Sequence, residues 1–172
     1  MNPHQKWLAM AATGIIIIIL GALWQLEVPA LVITEQHRDN LVIIPLYDEH
    51  EFTYGYIHSV QKTPVQEHFV VAPDDQLLLT STTYQSFGVG LPFLPEEGKL
   101  SHINGKYVLE INRRFDKVNI GFIPLACQKI SYDGRDYDFN DYFKSGAMLE
   151  VRVEHYSPLN LIWHYLRRVI SH

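Results

Sequence analysis

The sequence contains one cysteine, Cys127, so no intramolecular disulfide can form and the fold must stand on its core in any compartment. Following "FIPLA", Cys127 reads as a small buried side chain, not a nucleophile. Basic residues are also scarce. With 14 Lys and Arg against 19 Asp and Glu, the formal net charge of −5 offers no electrostatic footprint for nucleic acid. Disorder is excluded by composition, since 47% of residues are hydrophobic and only 19% are charged. There is no internal repeat and no low-complexity segment apart from one isoleucine run. At 172 residues the chain has room for one domain with a core plus an appendage, not for two full domains.

Charge is missing altogether from Trp7 to Trp24, "WLAMAATGIIIIILGALW". With Leu26 just beyond, the run approaches the ~20 residues a helix needs to cross a bilayer. Tryptophans at its two ends suit the interfaces. Lys6 on the short leading side favours that side remaining in the cytoplasm, with the acidic Glu27 and the rest of the chain outside. Val28-Pro29-Ala30 offers a small-residue cleavage site, the mark of a secretory signal. The length of the apolar run favours a retained anchor. The expected organisation is a membrane anchor or signal segment over 1–28 and an exported β-rich domain over 29–172, in the cytoplasmic (inner) membrane as a single pass with the domain periplasmic or extracytoplasmic.

After Pro29 hydrophobicity alternates between turn residues, which is the pattern of half-buried strands. It predicts strands at 30–36, 41–46, 52–59, 65–72, 76–85, 106–112, 117–123, 128–132, 136–139 and 147–155. Asn104-Gly105 and Asp133-Gly134 are two-residue hairpin signals. Between Gln85 and Ser101, Gly88, Gly90, Pro92, Pro95 and Gly98 predict a long irregular loop. Ser157-Pro158 opens a terminal amphipathic helix, with Leu159, Ile162, Trp163, Leu166 and Ile170 apolar and Asn160, His164, Arg167 and Arg168 elsewhere. This helix either closes an open side of the sheet, the simpler reading, or meets a partner or membrane. The fold class is therefore mainly β, an antiparallel sandwich or partly open barrel with one C-terminal amphipathic helix and an N-terminal transmembrane helix.

The stretch "YGYIHSVQKTPVQEHFVV", residues 54–71, holds the candidate site. Alternation sends Phe52, Tyr54, Tyr56 and His58 to one face and Thr53, Gly55, Ile57 and Ser59 to the other. His58 and Ser59 then point apart and cannot form a catalytic pair on a regular strand. If "QKTP" is the hairpin loop, Val60 faces Val65, His58 faces Glu67 and Tyr56 faces Phe69, a register that pairs an imidazole with a carboxylate. Such a pair could recognise a carboxylated ligand or a partner segment, or it could be a satisfied polar pair at a sheet margin, and the residues alone leave both open.

Other motifs weaken on inspection. "DYDFN" imitates a calcium loop, but Asp141 stands where the turn glycine belongs and Ala147 where the closing glutamate belongs. "SFGVG" is neither a nucleophile elbow nor a phosphate loop, because its serine precedes the glycines and no Gly-Lys-Ser/Thr follows. His68, His102 and His155 show no metal-ligand spacing. No catalytic set, metal or cofactor is expected.

"YIHSVQKTPVQEHF", followed after one strand by "SFGVGLP", resembles the bacterial domain-of-unknown-function family eighteen-fifty over roughly residues 30–95. In that family the glycine motif usually reads Gly-Ala-Gly-Leu-Pro, and Val89 replaces the alanine here. The resemblance marks Tyr56, His58, Ser59, Thr63, Pro64, Glu67, Gly88, Gly90, Leu91 and Pro92 as candidate binding positions, without assigning any a catalytic role. It implies association with the membrane subunits of TAXI-type TRAP transporters, which import small organic anions, and with their substrate-binding protein.

The resulting expectation is a membrane-anchored accessory or interaction module of such a transporter, non-enzymatic, touching the membrane through its N-terminal helix and binding no nucleic acid. The alternative is an exported small-molecule-binding protein or enzyme using the His58/Glu67 face. The 86–92 loop is expected beside the His58 and Glu67 end of the hairpin, sharing one surface with it. Protease added to intact spheroplasts is expected to digest the domain that follows the apolar run; protection until detergent is added would reverse the orientation.

Overall fold

The protein is described from a computed structural model, which covers residues 2–38, 40–47, 50–86 and 98–170. The chain divides into two compact units, one formed by Met1–Ala30 with His155–His172 and the other by Leu31–Glu154.

The charge-free run lies in α1 (Pro3–Gln25), whose side chains are exposed and whose length and mean hydropathy of 2.2 suffice to cross a membrane. Helix α2 (Pro158–Ile170) begins as its sequence indicates. Pro158 occupies the first position and Ser157 caps the helix, its Oγ accepting from the Asn160 N–H at 3.3 Å. The His164 ring meets Tyr156 edge-on at 5.9 Å, and the Arg167 guanidinium lies 5.7 Å over the Trp163 ring. Leu161 and His164 are half-buried, whereas Ile162, Trp163 and Leu166 are exposed.

The alternating segment folds into eleven strands among the described residues: β1 (Val28–Glu35), β2 (Leu41–Pro45), β3 (Glu51–Ile57), β4 (Pro64–Val71), β5 (Leu77–Tyr84), β6 (Lys99–Ile103), β7 (Lys106–Phe115), β8 (Val118–Gly121), β9 (Lys129–Tyr132), β10 (Arg135–Asp138) and β11 (Met148–Tyr156). They form two antiparallel sheets, one ordered β2-β1-β11-β8 and the other β10-β9-β3-β4-β5-β7-β6. The protein is thus mainly β, and among the described residues the two sheets pack as a sandwich without closing into a barrel. Leu31, Ile33, Ile44, Ile120 and Leu149 from the smaller sheet pack in one apolar cluster with Phe52, Phe69, Leu77 and Ile130 from the larger. Period-two alternation generates this core, since alternate residues of β2, β3, β9 and β11 (Val42 and Ile44, Phe52 and Tyr54, Ile130 and Tyr132, Leu149 and Val151) enter the cluster between the sheets. A satellite cluster of Val65, Tyr84 and Leu109, with Tyr56 packed against it, extends the apolar face along β4, β5 and β7.

Both hairpin signals form as two-residue turns. Asn104 and Gly105 take φ of 50° and 74° between Ile103 and Lys106, and Asp133 and Gly134 take 47° and 68° between Tyr132 and Arg135. Strand β6 had no counterpart in the sequence reading. It is a short edge strand with no fully buried residue, so alternation cannot reveal it; the signal available was the Asn-Gly turn itself, which needs a strand on each side.

Cys127 corrects another expectation. It is exposed, because a 3₁₀ turn at Pro124–Ala126 ends β8's exit and leaves Cys127 in the left-handed region at φ 46°.

Gly98 opens β6, and a Cβ there would overlap the carbonyl oxygen of Glu110 on β7. Gly98→Ala is expected to cost more than about 1 kcal/mol and to raise amide exchange along β6 and β7 while β3 and β9 stay protected. Unchanged exchange at β6 would show that the edge accommodates the methyl group.

Candidate functional site

The register of the β3–β4 hairpin differs from the expected one. Tyr56 faces Val65, Tyr54 faces Glu67 and Phe52 faces Phe69, so Glu67 lies opposite Tyr54 and not His58. Phe52 and Phe69 form the aromatic cross-strand pair, stacked with ring centroids 5.1 Å apart. The pairing stops at Ile57 and Pro64, and the loop between them is longer than "QKTP". It is closed by the His58 N–H donating to the Thr63 carbonyl at 2.9 Å and the Lys62 N–H donating to the His58 carbonyl at 2.9 Å, with Lys62 left-handed at φ 55°. His58 Nδ1 accepts from the N–H groups of Val60 and Gln61, at 3.2 and 3.1 Å. His58 thus organises the loop with its backbone and its ring, which pattern matching along a strand could not anticipate. The slide by four residues leaves the paired side chains of β3, Phe52, Tyr54 and Tyr56, on their expected face, because an even shift preserves the pleat, whereas His58 and Ser59, expected to point apart on a strand, lie in the loop and border the same cleft.

One consequence is chemical. Glu67 sits on the core side of β4 between Val65 and Phe69, laterally opposite Tyr54 on β3 and the buried Thr82 on β5. It borders a cleft of ≈ 420 Å³ between β3 and β4 on one wall and β8 on the other, lined also by Tyr54, Tyr56, His58, Asn119 and Gln128. Burial raises the Glu67 carboxyl above its ordinary value, and a hydrogen bond from the Tyr56 hydroxyl offsets part of that. Tyr56 is pushed up to about 12, first by burial and then by the Glu67 charge. Tyr54 is raised further, again chiefly by burial, against the opposing hydrogen bond from Gln128.

Gln128 holds the cleft's floor. Its Oε1 accepts from the Ile123 N–H at 2.8 Å, and its Nε2 donates to the Tyr54 hydroxyl at 2.8 Å and to the Gly121 carbonyl at 3.0 Å. An N–H on one side and a carbonyl on the other define the amide's orientation. The sequence placed Tyr54 on the face of Tyr56 and His58 without giving it a role and passed over Gln128, for which a polar residue in an otherwise apolar, strand-leading run was the only signal.

The cleft brings together Tyr56, His58, Ser59 and Glu67. Thr63 and Pro64 lie at the hairpin's closed end, and Thr63 Oγ1 is 3.5 Å from Ser86 Oγ. Tyr84 faces Val65, so β5 delivers the chain into the following loop at that same end. Gly88, Gly90, Leu91 and Pro92 lie outside the described residues. On the outer face of the larger sheet, His68 is bracketed by Thr53 Oγ1 at 3.1 Å and Thr83 Oγ1 at 3.3 Å, and burial lowers its pKa while Glu51 opposes the shift. "DYDFN" ends in a 3₁₀ turn in which the Asp138 carboxylate accepts from the Asn140 N–H.

The model of the family described as "Domain of unknown function (DUF1850)" matches residues 52–139, which runs from β3 to the end of β10 and spans the hairpin and the Gln128 clamp. The chain belongs to this family. No curated protein and no solved structure matches it.

The raised carboxyl has a definite effect on stability. Because Glu67 binds its proton more tightly when folded, the folded state holds more protons than the unfolded state between the ordinary value of 4.5 and the raised one. Stability from this group is therefore greatest below 4.5 and is lost as pH rises through the folded pKa. Relative to wild type, Glu67→Gln is expected to gain stability across that window in urea titrations run at a series of pH values. A pH-independent difference between the two proteins would refute the assignment.

Proposed function

We propose that the protein is a membrane-tethered, non-enzymatic accessory module of a TAXI-type TRAP transporter for small organic anions, with its β domain on the outer side of the cytoplasmic membrane. The observation that carries this reading is the junction of a 23-residue apolar helix, two residues ahead of β1, to a β sandwich of a family whose resemblance implies that setting. A single apolar helix supports a tether at a bilayer surface. The sandwich presents the hairpin loop 58–63, with Ser59 and Val60 exposed, as a rim for contact with membrane subunits or the substrate-binding protein.

A second reading, an exported small-molecule-binding protein, is favoured by one specific feature. Glu67, Tyr54, Tyr56 and His58 converge on a concave cleft, the arrangement expected of a ligand site. Such a cleft could equally serve the transporter role, by reporting the presence of a solute to the membrane subunits.

A photo-crosslinker at Val60, activated in native membranes, is expected to recover the membrane subunits of a tripartite transporter. Recovery only of self-crosslinked chains would defeat the accessory reading, whatever the cleft binds.

A further inference from the structure

We propose that the cleft between β3, β4 and β8 binds an organic ammonium group, held by the Glu67 carboxylate against the rings of Tyr54 and Tyr56. This deepens the small-molecule reading and rests on the cleft being a binding site.

The charges around the cleft decide the class of ligand. Among the described residues lining it, Glu67 is the sole acid, and there is no lysine or arginine. An organic anion entering here would meet a like charge with no fixed cation to offset it, whereas an ammonium would meet its counter-charge in a partly desolvated setting where the attraction is strengthened. His58 does not reverse the balance, since its Nδ1 already accepts the Val60 and Gln61 N–H groups.

The aromatic wall points the same way. The Tyr54 and Tyr56 rings lie 5.3 Å apart, tilted by 32°, and a cation within ~6 Å of such a ring is attracted by its quadrupole. Hydrogen-bonding capacity fits as well. The Gln128 amide is engaged with Ile123, Gly121 and Tyr54, so it acts as scaffold. Glu67 receives one bond from Tyr56, and a carboxylate has about four acceptor sites, which leaves room for ligand N–H donors. Across the cleft, Val118, Ile120 and Ile123 present an apolar surface suited to a short alkyl chain. A cavity of ≈ 420 Å³ falls within the ~300–1,000 Å³ usual for small-ligand sites. The ligand class is therefore a small alkylammonium, with its charged head at Glu67 and its tail toward β8.

The test is isothermal titration of the full-length protein in detergent near neutral pH with n-butylammonium and, separately, butyrate. Butylammonium is expected to bind and butyrate not. Glu67→Gln is expected to weaken butylammonium binding at least ~10-fold, the scale of a lost charge-assisted bond, with its melting temperature no lower than that of wild type. Should that variant fail to fold, the pH profile of the wild type decides. Affinity for butylammonium must fall as pH is lowered through the raised Glu67 pKa, because the ligand stays protonated while the carboxylate is neutralised. Of the groups facing Glu67, Tyr54 and Tyr56 remain neutral there, Thr82, Asn119 and Gln128 do not titrate, and the His58 Nδ1 is taken up by the Val60 and Gln61 N–H groups. Binding of butyrate without butylammonium would overturn the inference yet keep a ligand site. Binding of butylammonium undiminished in Glu67→Gln, or with no pH dependence, would overturn the assignment of Glu67. Binding of neither probe would overturn both the inference and the small-molecule reading, leaving the accessory role to the crosslinking result.

Discussion

The Gln128 amide, buried among apolar side chains, joins the two sheets. It reaches Tyr54 on the larger sheet and Gly121 on the smaller, and it satisfies the Ile123 N–H where the chain leaves β8. Each contact answers a backbone or side-chain group that would otherwise lack a partner in a buried place, at a cost of about 1–3 kcal/mol for each group left unmatched. A smaller apolar side chain at this position would uncouple Tyr54 from β8, and the separation between the walls of the cleft would lose its spacer. The Gln128 amide thus ties the two walls of the cleft together, beside the apolar cluster that both sheets share.

Within that gap the packing logic of the sandwich is suspended. Along β4 the inward positions run Val65, Glu67, Phe69 and Val71, and three of the four are ordinary core residues. A carboxylate between them is disfavoured by burial, as its raised pKa records. The Tyr56 hydroxyl relieves part of this, and its own ring belongs to both apolar clusters, so the polar pair is anchored by apolar packing on either side. Local violations of this kind, held in place by a consistent surrounding fold, are characteristic of functional positions. The same chain supplies an apolar helix long enough to cross a membrane and an α2 helix that leaves Ile162, Trp163 and Leu166 exposed.

Much of the architecture was legible in particular residues. Alternation located ten of the strands to within a few positions, and Asn104-Gly105 and Asp133-Gly134 located two turns, because positive φ at paired positions is a requirement few other dipeptides meet. Strand β6 escaped because an edge strand without buried positions has no hydrophobic signature. Cys127 was misread because burial was inferred from the apolar character of "FIPLA", whereas Ile123 and Leu125 are themselves exposed on the 3₁₀ turn. Of the site, the sequence singled out Tyr56, His58 and Glu67 but coupled the wrong pair, and it passed over Gln128.

The amino-acid sequence by itself determined which residues of the alternating strands face inward, where two of the tight turns fall, that the chain carries an apolar helix of membrane-crossing length and that no intramolecular disulfide supports the core. These are properties of neighbours along the chain, readable as periodicity, turn chemistry and composition. Only the tertiary structure decided the hairpin register. Pairings that differ by an even number of residues bury the same side chains, so hydrophobic pattern cannot choose between Glu67 opposite His58 and Glu67 opposite Tyr54. The choice was made by a loop in which His58 caps its own following amides, and by β8 and Gln128 closing over the result from far along the chain.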